Sequence, residues 1–114
     1  MFKRQRIPSI DAKGLQEKIN QNENITLLDV RRPNEWKQTG IVPGSIMVEM
    51  QTLPRELQNG LNLKEGKEVI VICRSGNRSG QVVKYLIEHF QINAINLSGG
   101  IISWYNNNGN IENI

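Results

Sequence analysis

The sequence predicts an α/β fold with a central, mainly parallel sheet of about five strands and helices on both faces. The candidate strands are apolar throughout, which is typical of strands that are buried on both faces of a parallel sheet. They alternate along the chain with segments that have helical periodicity. The chain has 114 residues, 38% hydrophobic and 22% charged. Those values suit a single globular domain that spans residues 1–114.

The first half of the chain alternates between extended and helical segments. Asp11 is a suitable N-cap for the first helix. Pro33 suits the first turn of the second helix, which Gly40 ends. In chain order, we predict an extended piece at 7–10, a helix at 12–20, a strand at 25–30, a short helix at 33–36, a turn and short strand within 41–48, and a helical turn or two at 53–57.

The second half of the chain contains the most regular patterns. Residues 69–72 are four consecutive Val and Ile residues and predict a buried strand. An amphipathic helix is predicted at 79–90 and a last strand at 94–97, before a closing helix at 101–105. The basic start at 1–6 and the Asn-rich tail at 106–114 are predicted to be poorly ordered.

Composition excludes several classes of protein. The single cysteine rules out an intramolecular disulfide, and with the single histidine it argues against a zinc site, so no metal or cofactor is expected. No apolar run approaches the ~18 residues of a membrane span, and the 5% aromatic content argues against nucleic-acid binding. The net charge of +3 suits a small anionic ligand. We expect a cytoplasmic monomer or weak dimer, although the basic start can be the remainder of a longer N-terminal segment.

The segment 73–80, CRSGNRSG, carries the clearest chemical signal. It joins the predicted strand at 69–72 to the amphipathic helix, where a tight loop turns several backbone N–H groups inward to form an anion site. Positive charge and N–H donors at this place favour the thiolate of Cys73. Gly76 supplies backbone conformations that a side chain would hinder, and Asn77 tolerates a left-handed turn. The alternative is that Cys73 is a buried structural residue, although such a residue gains nothing from two neighbouring arginines.

Other polar and aromatic residues have less specific signals. Asp29 and Arg31 leave the strand at 25–30 at the same sheet edge as Cys73, where they either support the loop or form a plain structural salt bridge. Trp36 and Trp104 are predicted to be core anchors. His89 is predicted to lie on the surface.

Four segments, in order, resemble the single-domain rhodanese-type sulfurtransferases. They are CRSGNRS at 73–79, LLDVR at 27–31 followed by Glu35 and Trp36, GIVPGSI at 40–46, and LSGG at 97–100 followed by Trp104. The resemblance covers residues 10–104. One departure is Ile41, which stands where the family often has a histidine; we expect this change to affect packing and access to the site.

The resemblance implies a rhodanese-like fold and an enzyme that moves a sulfane sulfur through a persulfide on Cys73. Thiosulfate or a persulfide is the implied donor, and cyanide, a thiol or a protein cysteine the implied acceptor. Arg74 is the best candidate for orienting an anionic donor, whereas Arg78 either does the same or pins the loop by pairing with a carboxylate. Ser79 can also cap the helix. The implied substrate-binding residues are Arg74, Ser75, Gly76, Asn77, Arg78 and Ser79.

Two other functions remain open. Cysteine phosphatases and arsenate reductases also pair a cysteine with an arginine across a loop, but phosphatases place one residue more between them than the four of 74–77 here. The shorter loop suits a sulfur atom better than a phosphoryl group. A non-catalytic docking module is the other alternative; such rhodanese-like modules exist that have lost the cysteine, whereas Cys73 is present here.

Overall fold

The structure, a computed structural model, describes residues 7–114. The predicted basic stub at 1–6 lies outside the described residues. Within residues 7–114, no helix is both long enough and apolar enough to cross a membrane.

The described residues form a five-stranded parallel sheet with helices on both faces, which confirms the predicted fold class. The strand order is β1-β5-β4-β2-β3, and each neighbouring pair is parallel. The elements are β1 Ser9–Ile10, α1 Ala12–Asn20, β2 Ile25–Asp29, α2 Pro33–Thr39, β3 Ile46–Met47, α3 Leu53–Gln58, β4 Glu68–Ile72, α4 Asn77–Phe90, β5 Ala94–Leu97 and α5 Gly100–Asn106. A short 3₁₀ helix, Met50–Thr52, precedes α3.

The central strand β4 separates two hydrophobic cores. Val69 and Val71 face the core that contains α3 and α4, whereas Ile70 and Ile72 face the core that contains α1 and α5. This alternation follows from the period of two in a strand, and both sets are apolar because both faces are covered. Cys73 continues β4 and packs in the first core.

The start of α4 differs from the prediction. The helix begins at Asn77, because Gly76 precedes it in the left-handed conformation (φ 99°) that ends the loop. Asn77 therefore lies in the first turn of the helix, and Gly76 takes the left-handed position. The prediction that Ser79 caps the helix is wrong, since Ser79 lies inside α4 and is buried.

The tail also differs from the prediction of a poorly ordered end. The indole N–H of Trp104 donates to the carbonyl of Asn110 at 2.8 Å. The backbones of Ile41 and Glu112 exchange hydrogen bonds of 2.9 and 2.8 Å. The Asn-rich composition indicates a low intrinsic tendency to form regular structure. It carries no information on the tertiary contacts with Trp104 and Ile41 that hold the tail. Ile41 is buried, so the residue at the usual histidine position packs beneath the tail.

Candidate active site

The topology brings the candidate residues to one edge of the sheet. Asp29 at the end of β2 pairs in register with Ile72 at the end of β4. Residues that follow these two strands therefore emerge side by side, as the parallel arrangement predicts. The first turn of α5 also reaches this edge, where the amide of Ile101 donates to the carbonyl of Cys73 at 2.9 Å.

The sulfur of Cys73 accepts two hydrogen bonds inside the protein. The amide of Gly76 lies 3.0 Å from Sγ, and the hydroxyl of Ser79 lies 3.2 Å from it. The side chain is almost fully buried, at 1% exposure. The sequence predicts several inward-facing amides at this position, but the structure provides one amide and one hydroxyl. Both are donors that can stabilise negative charge on sulfur.

Asn96 on β5 braces the loop, and sequence reasoning missed it. Its Nδ2 donates to the carbonyl of Gly76 at 3.0 Å. Its Oδ1 also accepts from the Ser79 hydroxyl, whose single proton is therefore shared between Asn96 and the sulfur of Cys73. Asn96 thus contacts both residues that donate to the Cys73 sulfur. The sequence does contain one signal, because Asn96 is the only polar residue of an otherwise apolar predicted strand. An amide side chain in a buried strand normally has hydrogen-bond partners.

Arg78 on α4 pairs with Glu35 on α2. Two parallel hydrogen bonds of 2.8 Å join the guanidinium to the carboxylate. The bond from Arg78 lowers the pKa of Glu35 below its usual range, although partial burial opposes the shift. Reciprocally, the hydrogen bond to Glu35 raises the pKa of Arg78 above its usual range. Of the two roles considered for Arg78, the structure shows the one in which it pairs with a carboxylate.

This pair predicts a specific acid sensitivity. Because the pKa of Glu35 is lowered in the folded protein, the stabilisation is complete above the unfolded pKa of about 4.3 and is lost as pH falls through the folded value. Glu35→Gln should therefore reduce the free energy of unfolding by about 1 kcal/mol at pH 7, the scale of a partly exposed pair. In urea titrations, the difference should vanish in acid, once the pH falls below the lowered pKa of Glu35.

The exposed carboxylate of Glu17 provides the control for this prediction. Glu17 makes no ion pair within residues 7–114. Glu17→Gln should change stability by less than about 0.5 kcal/mol at pH 7. An equal effect of the two substitutions, or an effect of Glu35→Gln that persists unchanged in acid, would contradict the assignment.

Asp29 and Arg31 form a buried ion pair beneath α2. Their side chains are 0% and 1% exposed, and Nη2 of Arg31 lies 2.9 Å from Oδ2 of Asp29. Trp36 donates its indole N–H to Asp29, while Arg31 donates to the hydroxyl of Thr39 and the carbonyl of Gly40. These bonds reach α2 and its C-terminal end. The pair therefore contacts α2, which carries Glu35, and makes no hydrogen bond to residues 73–79.

A positively charged pocket of about 520 Å³ lies between α2 and the loop. Four arginines line it: Arg31, Arg32, Arg74 and Arg78. Arg31 and Arg78 are paired with carboxylates, but Arg32 and Arg74 make no ion pair in the part of the chain that the structure describes. Cys73 is not among the lining residues and lies directly before Arg74 in the chain. The pocket therefore offers two unneutralised guanidiniums to an anion beside the buried sulfur.

The family model for the rhodanese-like domain matches residues 11–107. The chain belongs to the rhodanese-like family. This rhodanese-like chain is 36% identical over 98 residues to the putative sulfurtransferase YtwF of Bacillus subtilis, covering 86% of this chain and 90% of that protein. It is 32% identical over 98 residues to a sulfurtransferase of Allochromatium vinosum, covering 86% and 88%. These relatives support sulfur transfer in general.

A solved structure agrees with the fold of this rhodanese-like domain. The crystal structure of a rhodanese-like domain protein from Staphylococcus aureus superposes with a TM-score of 0.74 at 33% sequence identity. The superposition covers 85% of this chain and 90% of that chain. The resemblance read from the four sequence segments is therefore confirmed at the level of family and fold.

The predicted site residues of the rhodanese-like domain occupy three environments. Cys73 and Ser79 are buried and in contact with each other. Arg74, Ser75 and Asn77 are exposed, and Gly76 and Arg78 are half-buried. Of the remaining predicted residues, Trp36 and Trp104 are buried in agreement with the prediction, and His89 is exposed at the end of α4, also as predicted.

Proposed function

We propose that this rhodanese-like domain transfers a sulfane sulfur through a persulfide on Cys73. One observation carries the proposal. The only cysteine of the sequence lies at the carboxyl end of the central strand, where an amide and a hydroxyl donate to its sulfur. Beside it lies a pocket in which two arginines have no ion-pair partner among residues 7–114. This environment suits a nucleophile that becomes an anion and receives an anionic donor.

The proposed reaction has two steps. The Cys73 thiolate attacks the outer sulfur of thiosulfate or of a persulfide, the S–S bond of the donor breaks, and sulfite or a thiolate leaves with the bonding electron pair. An acceptor nucleophile then attacks the outer sulfur of the Cys73 persulfide and releases the Cys73 thiolate. Cyanide, a thiol or a protein cysteine can serve as acceptor. Sulfite and thiolates leave without a proton, so the mechanism needs no general acid.

The donor must reach a sulfur that is almost completely covered. Because Cys73 is 1% exposed, we propose that the exposed residues Arg74 and Ser75 shift when the donor binds. Arg74 then orients the anion, while the amide of Gly76 and the hydroxyl of Ser79 hold the sulfur in place. Asn77 in the first turn of α4 lies beside the donor, and Arg78 holds the helix against α2 through Glu35. Asp29 and Arg31 support this arrangement from beneath α2.

We further propose a ligand class, a compartment and an oligomeric state that suit this reaction. A small anionic sulfur donor fits the arginine-lined pocket. A reducing cytoplasm would keep a lone reactive thiol available between turnovers. A monomer or weak dimer is the expected oligomeric state.

A comparison of two reactions tests the proposal. Purified protein should form thiocyanate from thiosulfate and cyanide and should hydrolyse an aryl phosphate much more slowly, if at all. Faster hydrolysis of the aryl phosphate would instead assign phosphatase chemistry to the loop. A protein that is inert in both reactions, with a thiol that still reacts with iodoacetamide, would favour the docking function.

Substitution of Asn96 should slow sulfur transfer, although Asn96 makes no hydrogen bond to the sulfur of Cys73. Asn96→Ala removes the brace of the Gly76 carbonyl and the acceptor of the Ser79 hydroxyl, so the donors to Cys73 lose their fixed positions. We expect kcat/KM to fall about tenfold, the scale of a slightly misplaced reacting group. Steady-state thiocyanate formation measures the effect.

Asn93 offers a matched control for that substitution. Asn93 precedes the same strand at its other end, and its Nδ2 donates to the carbonyl of Lys67 at 3.3 Å. Asn93→Ala should leave kcat/KM within about twofold of the wild type, since surface changes away from the site have small effects. Equal losses in the two variants would show that Asn96 has no specific role.

A further inference from the structure

An apolar groove continues from the arginine-lined pocket along α2 and α5. Its volume is about 340 Å³. Four residues line both depressions: Gln38, Thr39, Ile101 and Ile102. Tyr105 and Ile111 line only the second one, which we call the α2–α5 groove. The pocket beside Cys73 and the α2–α5 groove therefore form one continuous surface.

The two parts of this surface differ in chemistry. The pocket presents the guanidiniums of Arg32 and Arg74, which form no ion pair within the described part of the chain. In the α2–α5 groove, Ile102 is 42% exposed and Tyr105 is 67% exposed. Large apolar side chains that remain in water beside a charged pocket are typical of a surface that a ligand covers. A ligand that matches both parts has an anionic end and an apolar side chain.

Helix α5, which forms one wall of the α2–α5 groove, is hydrogen-bonded to the backbone of the loop that begins at Cys73. The amide of Ile101 donates to the carbonyl of Cys73 at 2.9 Å, and the amide of Ile102 donates to the carbonyl of Arg74 at 3.2 Å. Gly100 permits this approach, because a Cβ at that position would lie 2.4 Å from both carbonyl oxygens. Whatever binds along α5 is therefore held at a fixed position relative to Cys73.

We propose that the α2–α5 groove binds the polypeptide segment that flanks a reactive cysteine of a partner protein. The inference rests on the proposed sulfur transfer and specifies its acceptor. A free small thiol would occupy only the pocket, whereas an extended segment reaches both parts. Alternate side chains of such a segment lie on one side, about 7 Å apart. On that side the segment carries its cysteine, an acidic residue two positions away for Arg32 and Arg74, and a large apolar residue two positions further for Ile102 and Tyr105.

The transfer to this acceptor is balanced without another reactant. The thiolate of the partner cysteine attacks the outer sulfur of the Cys73 persulfide and forms a new S–S bond. The bond between that sulfur and Sγ of Cys73 breaks, and Cys73 leaves as a thiolate. The sulfane sulfur moves from one cysteine to the other, so there is no net oxidation or reduction.

Two synthetic peptides test the inference. Protein that has been loaded with thiosulfate is mixed with a peptide containing Cys-Ser-Glu-Ser-Leu, or with the same peptide containing Ser in place of Leu. Mass spectrometry then measures the rate at which each peptide gains sulfur. The wild type should prefer the Leu peptide about tenfold, the scale expected for partial burial of one Leu side chain. Tyr105→Ser should reduce this preference to about twofold or less, because the substituted groove buries less of the Leu side chain.

Ile87→Ser is the matched control. Ile87 is 37% exposed on α4, which packs on the other face of the sheet from α5. This variant should keep the preference of the wild type. The inference is overturned if the wild type does not distinguish the peptides, or if Tyr105→Ser leaves the preference intact. It is also overturned if sedimentation shows a dimer that Tyr105→Ser dissociates, since the groove then binds a second copy. Failure of both thiosulfate and a persulfide donor to load Cys73 would instead contradict the proposed function itself.

Discussion

Cys73→Ser is expected to abolish sulfur transfer. The hydroxyl of serine is a far weaker nucleophile than a thiolate and cannot carry a stable persulfide, so the covalent intermediate does not form. We expect the rate of thiocyanate formation to fall toward the uncatalysed rate, by up to about six orders of magnitude, the scale of the loss of the nucleophile in another covalent mechanism. Steady-state assays with thiosulfate and cyanide would measure the loss.

The substitution should leave the fold intact. Serine is smaller than cysteine, and the amide of Gly76 and the hydroxyl of Ser79 can donate to its oxygen instead of to sulfur. The melting temperature of Cys73→Ser should therefore stay within a few degrees of the wild type. Residual thiocyanate formation at the rate of the wild type would remove Cys73 from the mechanism.

Arg31→Ala is expected to have the largest effect on stability. It leaves the carboxylate of Asp29 buried without its cationic partner. Removal of one member of a buried pair typically costs about 3–5 kcal/mol, because the remaining charge stays out of water. Arg31 also donates to Thr39 and Gly40, so its loss frees the end of α2. Urea denaturation would measure the change in the free energy of unfolding.

Two further variants distinguish the loss of the buried ion pair from a nonspecific destabilisation of α2. Lys37→Ala removes an exposed cation of the same helix and should change stability by less than about 0.5 kcal/mol. The double variant Asp29→Asn/Arg31→Met removes both charges, so it should be less destabilised than Arg31→Ala. A loss below about 1 kcal/mol for Arg31→Ala would contradict the view that this pair holds α2 in place.

Local patterns in the sequence predicted much of the fold and the place of Cys73 in it. The apolar run at 69–72 predicts β4 because only a strand buried on both faces is apolar throughout. Asp11 predicts the start of α1 because its side chain accepts from the amide of Gly14, at 2.7 Å. The small residues and arginines between β4 and α4 indicate the loop around Cys73, since strand, loop and helix are adjacent in the sequence.

The contacts that the sequence did not predict join residues that are distant along the chain. Arg78 pairs with Glu35 from 43 positions away, and Asn96 reaches Gly76 from 20 positions away. The tail reaches Ile41 in the same way. Such contacts depend on how the helices and strands pack, so local propensity alone indicates neither the carboxylate that binds Arg78 nor the order of the tail.

The mass of the intact protein after exposure to thiosulfate shows whether Cys73 takes up a sulfur atom. We expect a gain of about 32 Da, one sulfur atom, that cyanide or a reductant removes and that Cys73→Ser does not show. The absence of any gain with thiosulfate or with a persulfide donor, or a gain of the same size in Cys73→Ser, would contradict the proposed persulfide on Cys73.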